Sequence, residues 1–166
     1  FNLLILLKLL LCMVTARSFS MGINRYVDRD IDRKNPRTSD RGIPSGRLTP
    51  TAALLWSVIF GVCFLFASWS LSSLAGMLAV PVLAFLASYS FMKKLSWLTH
   101  WYLGFCLGLS PVAVSIALTG ACSWSVACLG GAVLFWTAGF DILYSMQDEG
   151  FDKSLGLFSA PASLGK

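Results

Sequence analysis

Asn24, Asp28 and Asp32 stand at i, i+4 and i+8, and Asp141, Tyr144, Asp148 and Asp152 at i, i+3, i+7 and i+11. Those intervals predict one shared helix face within each group. Two carboxylates four residues apart on a helix repel each other unless a cation joins them. Carboxylates are hard oxygen ligands, suited to Mg²⁺, which keeps several waters and is usually completed by substrate phosphates. Basic side chains accompany both groups: Arg25, Arg29, Arg33, Arg37 and Arg41 around the first, Lys93 and Lys94 between them, and Lys153 beside Asp152. Arginine recognises phosphate oxygens in bidentate fashion. The combination points to a diphosphate held through metal ions.

Plainer readings account for less. A solvated loop whose charges merely fix orientation explains the arginines, but not two aspartate pairs in helical register. "DRDIDR" superficially resembles a calcium loop, yet its sixth position is Arg33 instead of glycine and its twelfth is Ser39 instead of glutamate. An interfacial aromatic is the plain reading of Tyr144, and its register with Asp148 is the reason to place it at the site.

The elements that must carry these residues are long and apolar. Of the 166 residues, 56% are hydrophobic and 13% charged, against about 25% charged in a soluble domain. A bilayer-spanning helix needs about 20 mainly apolar residues. Such runs fall near 51–71, 74–91, 101–119 and 124–147, after a first, shorter one at the N-terminus. "FNLLILLKLLLCMVTA" lacks a small-x-small cleavage site, so it reads as the remnant of a spanning helix and not as a signal peptide. Run lengths and the lack of strict alternation predict helices over barrel strands.

Charge orders the connections. Residues 25–47 hold seven Lys/Arg, the connection near 71–73 none, "MKKLSW" two, and "TGACSW" none before "QDEGFDK". Every second connection is charged, as five successive crossings require, and the Lys/Arg excess places that side in the cytoplasm. Both acidic groups are thus expected on the same membrane face. The five cysteines show no ligand-like spacing and read as small buried hydrophobes. His100, the single histidine, reads as an interfacial residue.

The residues around both groups resemble a known family. Asn24-x-x-x-Asp28-x-x-x-Asp32, followed by "NPRT" and "IPSGRLTP", resembles the first signature of the UbiA superfamily of membrane prenyltransferases. "DILYSMQDEGFDKSLGLFSAP" resembles the second, and "YSFMKKLSWLTHWYLG" the helix end, Lys-bearing loop and next helix between them. The resemblance implies an all-α, multi-pass transmembrane bundle of about nine helices. About five of them would lie here, within a single prenyltransferase domain over 1–166 that is truncated at both ends.

It implies that Asp28, Asp32, Asp148 and Asp152 are the catalytic metal ligands. With Asn24 they would bind two Mg²⁺ ions and, through them, a polyprenyl diphosphate. Arg37 and Lys93 would approach the diphosphate or a carboxylated acceptor, as would Lys153. Asp141 and Tyr144 would line the acceptor end of the cavity. The implied reaction is Mg²⁺-dependent transfer of the polyprenyl group to an aromatic carboxylate, 4-hydroxybenzoate or a dihydroxynaphthoate, in ubiquinone or menaquinone biosynthesis. It places the site on the cytoplasmic face of the bacterial inner membrane, with the lipid bilayer as a partner and no nucleic acid. Arg25 stands where many members carry aspartate. The local sequence is most similar to the bacterial branch linked to menaquinone made through futalosine.

Other classes fit less well. A transporter carries intramembrane charge along its path, whereas these runs are uncharged through their middles. Membrane phosphotransferases of the D-x-x-D-G type have aspartate at the fourth position of that pattern, where Ile31 stands here. Another member of the superfamily with a different acceptor is the remaining alternative.

Overall fold

A computed structural model describes residues 2–165, and every regular element among them is helical. The chain divides into two compact units, Phe1–Ser90 and Phe91–Lys166.

The first unit begins with α1 (Leu3–Val27), capped by Asn2, whose Oδ1 accepts the N–H groups of Leu4 (3.0 Å) and Ile5 (3.3 Å). The helix extends through Arg17 and Arg25, well past the apolar run, and stops at the first acidic group. A short helix, α2 (Arg29–Lys34), follows directly. Residues 35–49 form turns, and Thr49 then caps α3 (Pro50–Leu71) with Pro50 in its first turn. That placement is favourable because the missing proline N–H has no intrahelical partner there anyway.

α1 and α3 pack antiparallel through small residues. Lys8 Nζ donates to Ser70 O (2.6 Å), Cys12 Sγ lies 3.8 Å from Ser68 Oγ, and Gly22 sits against Ser57. A Cβ on Gly22 would collide with the Ser57 hydroxyl, itself buried and bonded to Ala53 O (2.7 Å). Gly61 leaves room for the Phe19 ring. In lipid no hydrophobic force drives helices together, so close backbone approach at small residues supplies the contact. Ser72 turns the chain into α4 (Ser73–Met92), its hydroxyl accepting Ala75 N–H (3.1 Å).

The second unit is built on α5 (Thr99–Thr119) and α6 (Trp124–Ser145). They cross antiparallel where glycines remove the side chains. A Cβ on Gly108 would stand 2.6 Å from Gly130 O, and one on Gly104 2.5 Å from Leu134 O. Gly120, at φ 73°, ends α5 in the left-handed conformation that favours glycine, and Ser123 caps α6. A 3-10 turn (Met146–Asp148), α7 (Glu149–Ser154) and α8 (Ala160–Leu164) complete it.

Among the described residues, five helical stretches are long and apolar enough to cross a membrane. Their outward side chains are themselves apolar: Phe66 is 74% exposed, Trp136 80% and Trp124 83%. Water would penalise such a surface and lipid does not. The chain is an integral membrane protein, all-α as expected, and the runs near 51–71, 74–91, 101–119 and 124–147 begin and end within about two residues of their predicted limits.

Candidate functional site

Each acidic group sits where a long helix breaks into a short one. Asp28 separates α1 from α2 at φ −91°, ψ 1°, and Asp148 precedes α7 at φ −101°, ψ 4°. Both lie in the sparsely populated bridge region of backbone space. In both, the second aspartate follows four residues later within a six-residue helix and is buried: Asp32 is 6% exposed and Asp152 1%.

The single continuous helix face predicted for each group is therefore corrected. In the first, i+4 backbone bonds run across the break, from Asp28 N to Asn24 O (2.9 Å) and Asp32 N to Asp28 O (2.7 Å). Register survives there as a bend. In the second, the 3-10 turn at 146–148 tightens the winding between Tyr144 and Asp148, so residues 141–152 do not form one regular helix. Tyr144 is 46% exposed and stacks on Phe140, with ring centroids 6.5 Å apart.

In the first unit the structure brings Asn24, Asp28 and Asp32 together with two arginines. Asn24 Nδ2 donates to Asp28 Oδ2 (3.1 Å). Arg41 Nη1 reaches both oxygens of Asp32, and Arg25 Nη1 stands 3.7 Å from Oδ2. The intervening loop is shaped by Asn35, whose carbonyl accepts Thr38 N–H (3.0 Å), while the Thr38 hydroxyl donates to Asp32 O (3.1 Å). Arg37 is exposed, and its backbone N–H donates to Asn35 Oδ1 (3.0 Å). The guanidinium on Asp32 thus comes from Arg41, which sequence reasoning placed only in the basic surroundings.

In the second unit Lys93 Nζ lies 3.0 Å from Asp152 Oδ1. Both oxygens of Asp152 are buried, and neither accepts an aligned hydrogen bond, so the contact is an ion pair in which direction is not satisfied. Lys153, four residues past Glu149, pairs with it at 2.8 Å on the exposed side of α7. Asp141 Oδ2 lies 2.7 Å from His100 Nδ1. His100, at the start of α5, is only 3% exposed, so its ring is buried within the protein. Its position as the sole histidine, one turn beyond "MKKLS", was the available signal.

Among the described residues no three His, Cys, Asp or Glu side chains converge to cage an ion by themselves. Mg²⁺ does not require such a cage, since it is commonly held by one or two carboxylates with waters and phosphates. A buried carboxylate that accepts no aligned hydrogen bond, as in Asp152, fits that role once Lys93 shares it. Asp32 fits once Arg41 shares or releases it.

Comparison with known proteins agrees with this architecture. The profile of the UbiA prenyltransferase family matches residues 1–166. The chain belongs to the UbiA prenyltransferase family. It is 29% identical over 157 residues to a 4-hydroxybenzoate octaprenyltransferase of Janthinobacterium sp. (strain Marseille), covering 92% of this chain and 54% of that protein. It is 32% identical over 150 residues to the polyprenyl transferase atnF of Arthrinium sp., covering 86% and 47%. The solved apo structure of a UbiA homologue from Aeropyrum pernix K1 superposes with a TM-score of 0.91 at 33% identity, covering 99% of this chain and 63% of that one. The chain spans about half the length of the curated relatives it matches.

Proposed function

We propose that the protein transfers a polyprenyl group from polyprenyl diphosphate to an aromatic acid, with Mg²⁺, in quinone biosynthesis. The observation that carries the reading is Asp152: a fully buried carboxylate, unfilled by hydrogen bonds, with a lysine 3.0 Å away. Burying such a group is costly unless something compensates it, and a cation bound with a diphosphate would do so.

Each acidic pair, Asp28 with Asp32 and Asp148 with Asp152, would hold Mg²⁺ and through it diphosphate oxygens. When bound, Mg²⁺ neutralises the charge that gathers on the departing diphosphate. Asn24 orients Asp28 by its amide bond. Arg37, Lys93 and Lys153 would donate to phosphate oxygens or to the carboxylate of the acceptor. The allylic C–O bond breaks, the electron-rich ring of the acceptor attacks the prenyl carbon, and the ring loses a proton. Apolar helix walls would keep water from capturing the prenyl cation. Asp141 and Tyr144 would line the acceptor end, Asp141 being fixed by His100.

The named activity of the bacterial relatives supports 4-hydroxybenzoate as the acceptor, and the local motif resemblance supports a dihydroxynaphthoate. The family character and the charge pattern support a bacterial inner membrane location with a cytoplasmic site. To test the reading, the full-length protein in membranes is given a long-chain polyprenyl diphosphate, Mg²⁺ and each acceptor separately. Product with the benzoate alone assigns it to ubiquinone synthesis; product with a naphthoate alone assigns it to menaquinone synthesis. Product with neither, in membranes active for a control enzyme, would overturn prenyl transfer to these acids.

A further inference from the structure

We infer that His100 is a positioning residue: it clasps the segment following Asp152 and thereby holds that carboxylate in place for its ligand. The inference rests on the metal–diphosphate reading proposed above.

His100 is the second residue of α5 and makes contacts on both sides of its ring. The backbone N–H of Ala160 donates to Nε2 (3.2 Å), so Nε2 carries no proton. Nδ1 therefore bears the hydrogen and donates it to Asp141 Oδ2 (2.7 Å) on the last turns of α6. The ring is a neutral bridge that accepts at one end and donates at the other. Ser145 Oγ, one helical turn beyond Asp141, stands 3.5 Å from Nε2.

The bond to Ala160 is one of several that close a loop around Asp152. Leu157 N–H donates to the carbonyl of Asp152 itself (2.9 Å), and Gly156 at φ 65° permits the reversal. Phe158 N–H donates to Lys93 O (2.9 Å), while the ammonium of the same Lys93 faces the Asp152 carboxylate. Lys93 and His100 thus grip residues 157–160 at two points, and the gripped residues return to Asp152. Asp152 lacks aligned hydrogen bonds of its own, so its placement depends on this backbone path. Side chains that orient a metal ligand from behind affect binding strongly, by about 10- to 100-fold when removed.

A histidine filling a buried space would be indifferent to which polar group replaces it. A clasp is not. Glutamine offers an acceptor and a donor at the end of a chain long enough to span Asp141 and the Ala160 N–H; leucine offers neither, and asparagine is one carbon too short.

The experiment uses the full-length protein in lipid nanodiscs, with Mn²⁺ and inorganic pyrophosphate as probes. Free Mn²⁺ is followed by its electron paramagnetic resonance signal, and trypsin cleavage after the exposed Lys153 is followed without ligand. His100→Leu is expected to weaken Mn²⁺–pyrophosphate binding about 10-fold and to speed cleavage at Lys153; His100→Gln is expected to restore both. Should His100→Leu fail to accumulate, His100→Asn takes its place with the same expectation. Wild-type affinity and wild-type cleavage in the leucine or asparagine variant would overturn the clasp. If the wild-type protein itself binds no Mn²⁺–pyrophosphate while the variant is cleaved faster, the clasp stands and the metal–diphosphate reading falls.

Discussion

Arg41 Nη1 lies 2.8 Å from Oδ1 and 2.9 Å from Oδ2 of Asp32, so one guanidinium nitrogen straddles a carboxylate nine residues back along the chain. Asp32 is buried and Arg41 half-buried, so the carboxylate depends on this partner more than the arginine does. In the other unit Lys93 does the same for Asp152. Each acidic pair thus has its deeper member neutralised by a basic residue from a neighbouring loop or helix end.

Arg41→Ala is expected to destabilise the ligand-free protein by about 1–3 kcal/mol, the cost of leaving a buried acceptor without its donor. The exposed part of the arginine keeps the value toward the lower end. Thermal unfolding in detergent measures it. Asp32→Asn combined with Arg41→Ala should lose less than the two single changes added together; full additivity would mean that the pair does not interact.

Lys93→Met removes the cation that competes for Asp152. Mg²⁺ alone should then raise the melting temperature of the variant by more than it raises that of the wild type, through binding to the folded state. The KM for polyprenyl diphosphate should rise if Lys93 donates to phosphate as proposed. A variant stabilised by Mg²⁺ no more than the wild type would show that Lys93 does not occupy the metal's place.

Asp28→Ala and Asp148→Ala should each abolish the proposed Mg²⁺-dependent prenyl transfer while leaving membrane insertion intact, since Asp28 follows the end of α1 and Asp148 the end of α6. Product formation in membranes carrying equal amounts of protein reads this directly. Normal turnover in either variant would remove that aspartate from the site.

Gly108→Val places a side chain where a Cβ already meets Gly130 O at 2.6 Å, in the α5–α6 crossing. The expected loss is about 1–3 kcal/mol from overpacking. Gly131→Ala serves as the control, because nothing lies within 4 Å of a Cβ there. Equal melting temperatures for both variants would contradict the close crossing.

The spans were legible because an apolar run of bilayer length between polar breaks leaves little choice of structure. The caps at Thr49 and Ser123 that start α3 and α6 are structural findings. The helical spacing of Asp28 with Asp32 and of Asp148 with Asp152 was legible, and Lys93, singled out by the family resemblance, lies 3.0 Å from Asp152. The bends at Asp28 and Asp148 were not legible: at Asp28 a bend that preserves i+4 bonding leaves the spacing of residues unchanged, and at Asp148 a single 3-10 turn leaves no mark in the residue pattern. Arg41 was hidden for a different reason: its reach to Asp32 depends on the turns at Asn35–Thr38, and six other basic residues crowd 25–47. The partners of His100 were hidden because hydropathy reports how apolar a neighbourhood is, not which polar atoms meet inside it. Its partners lie 41 and 60 residues away in sequence.

The α5–α6 crossing also bears on the order in which the protein is made. Only residues 120–123 separate the two helices, and Gly104, Gly108, Gly130 and Leu134 supply the close approach. A nascent chain stopped after residue 145 already contains every group in that contact. Gly22 must instead wait through the whole charged loop before Ser57 has been synthesised. The ribosome therefore delivers one pair of helices as neighbours at birth, while the other must find each other sideways in the lipid.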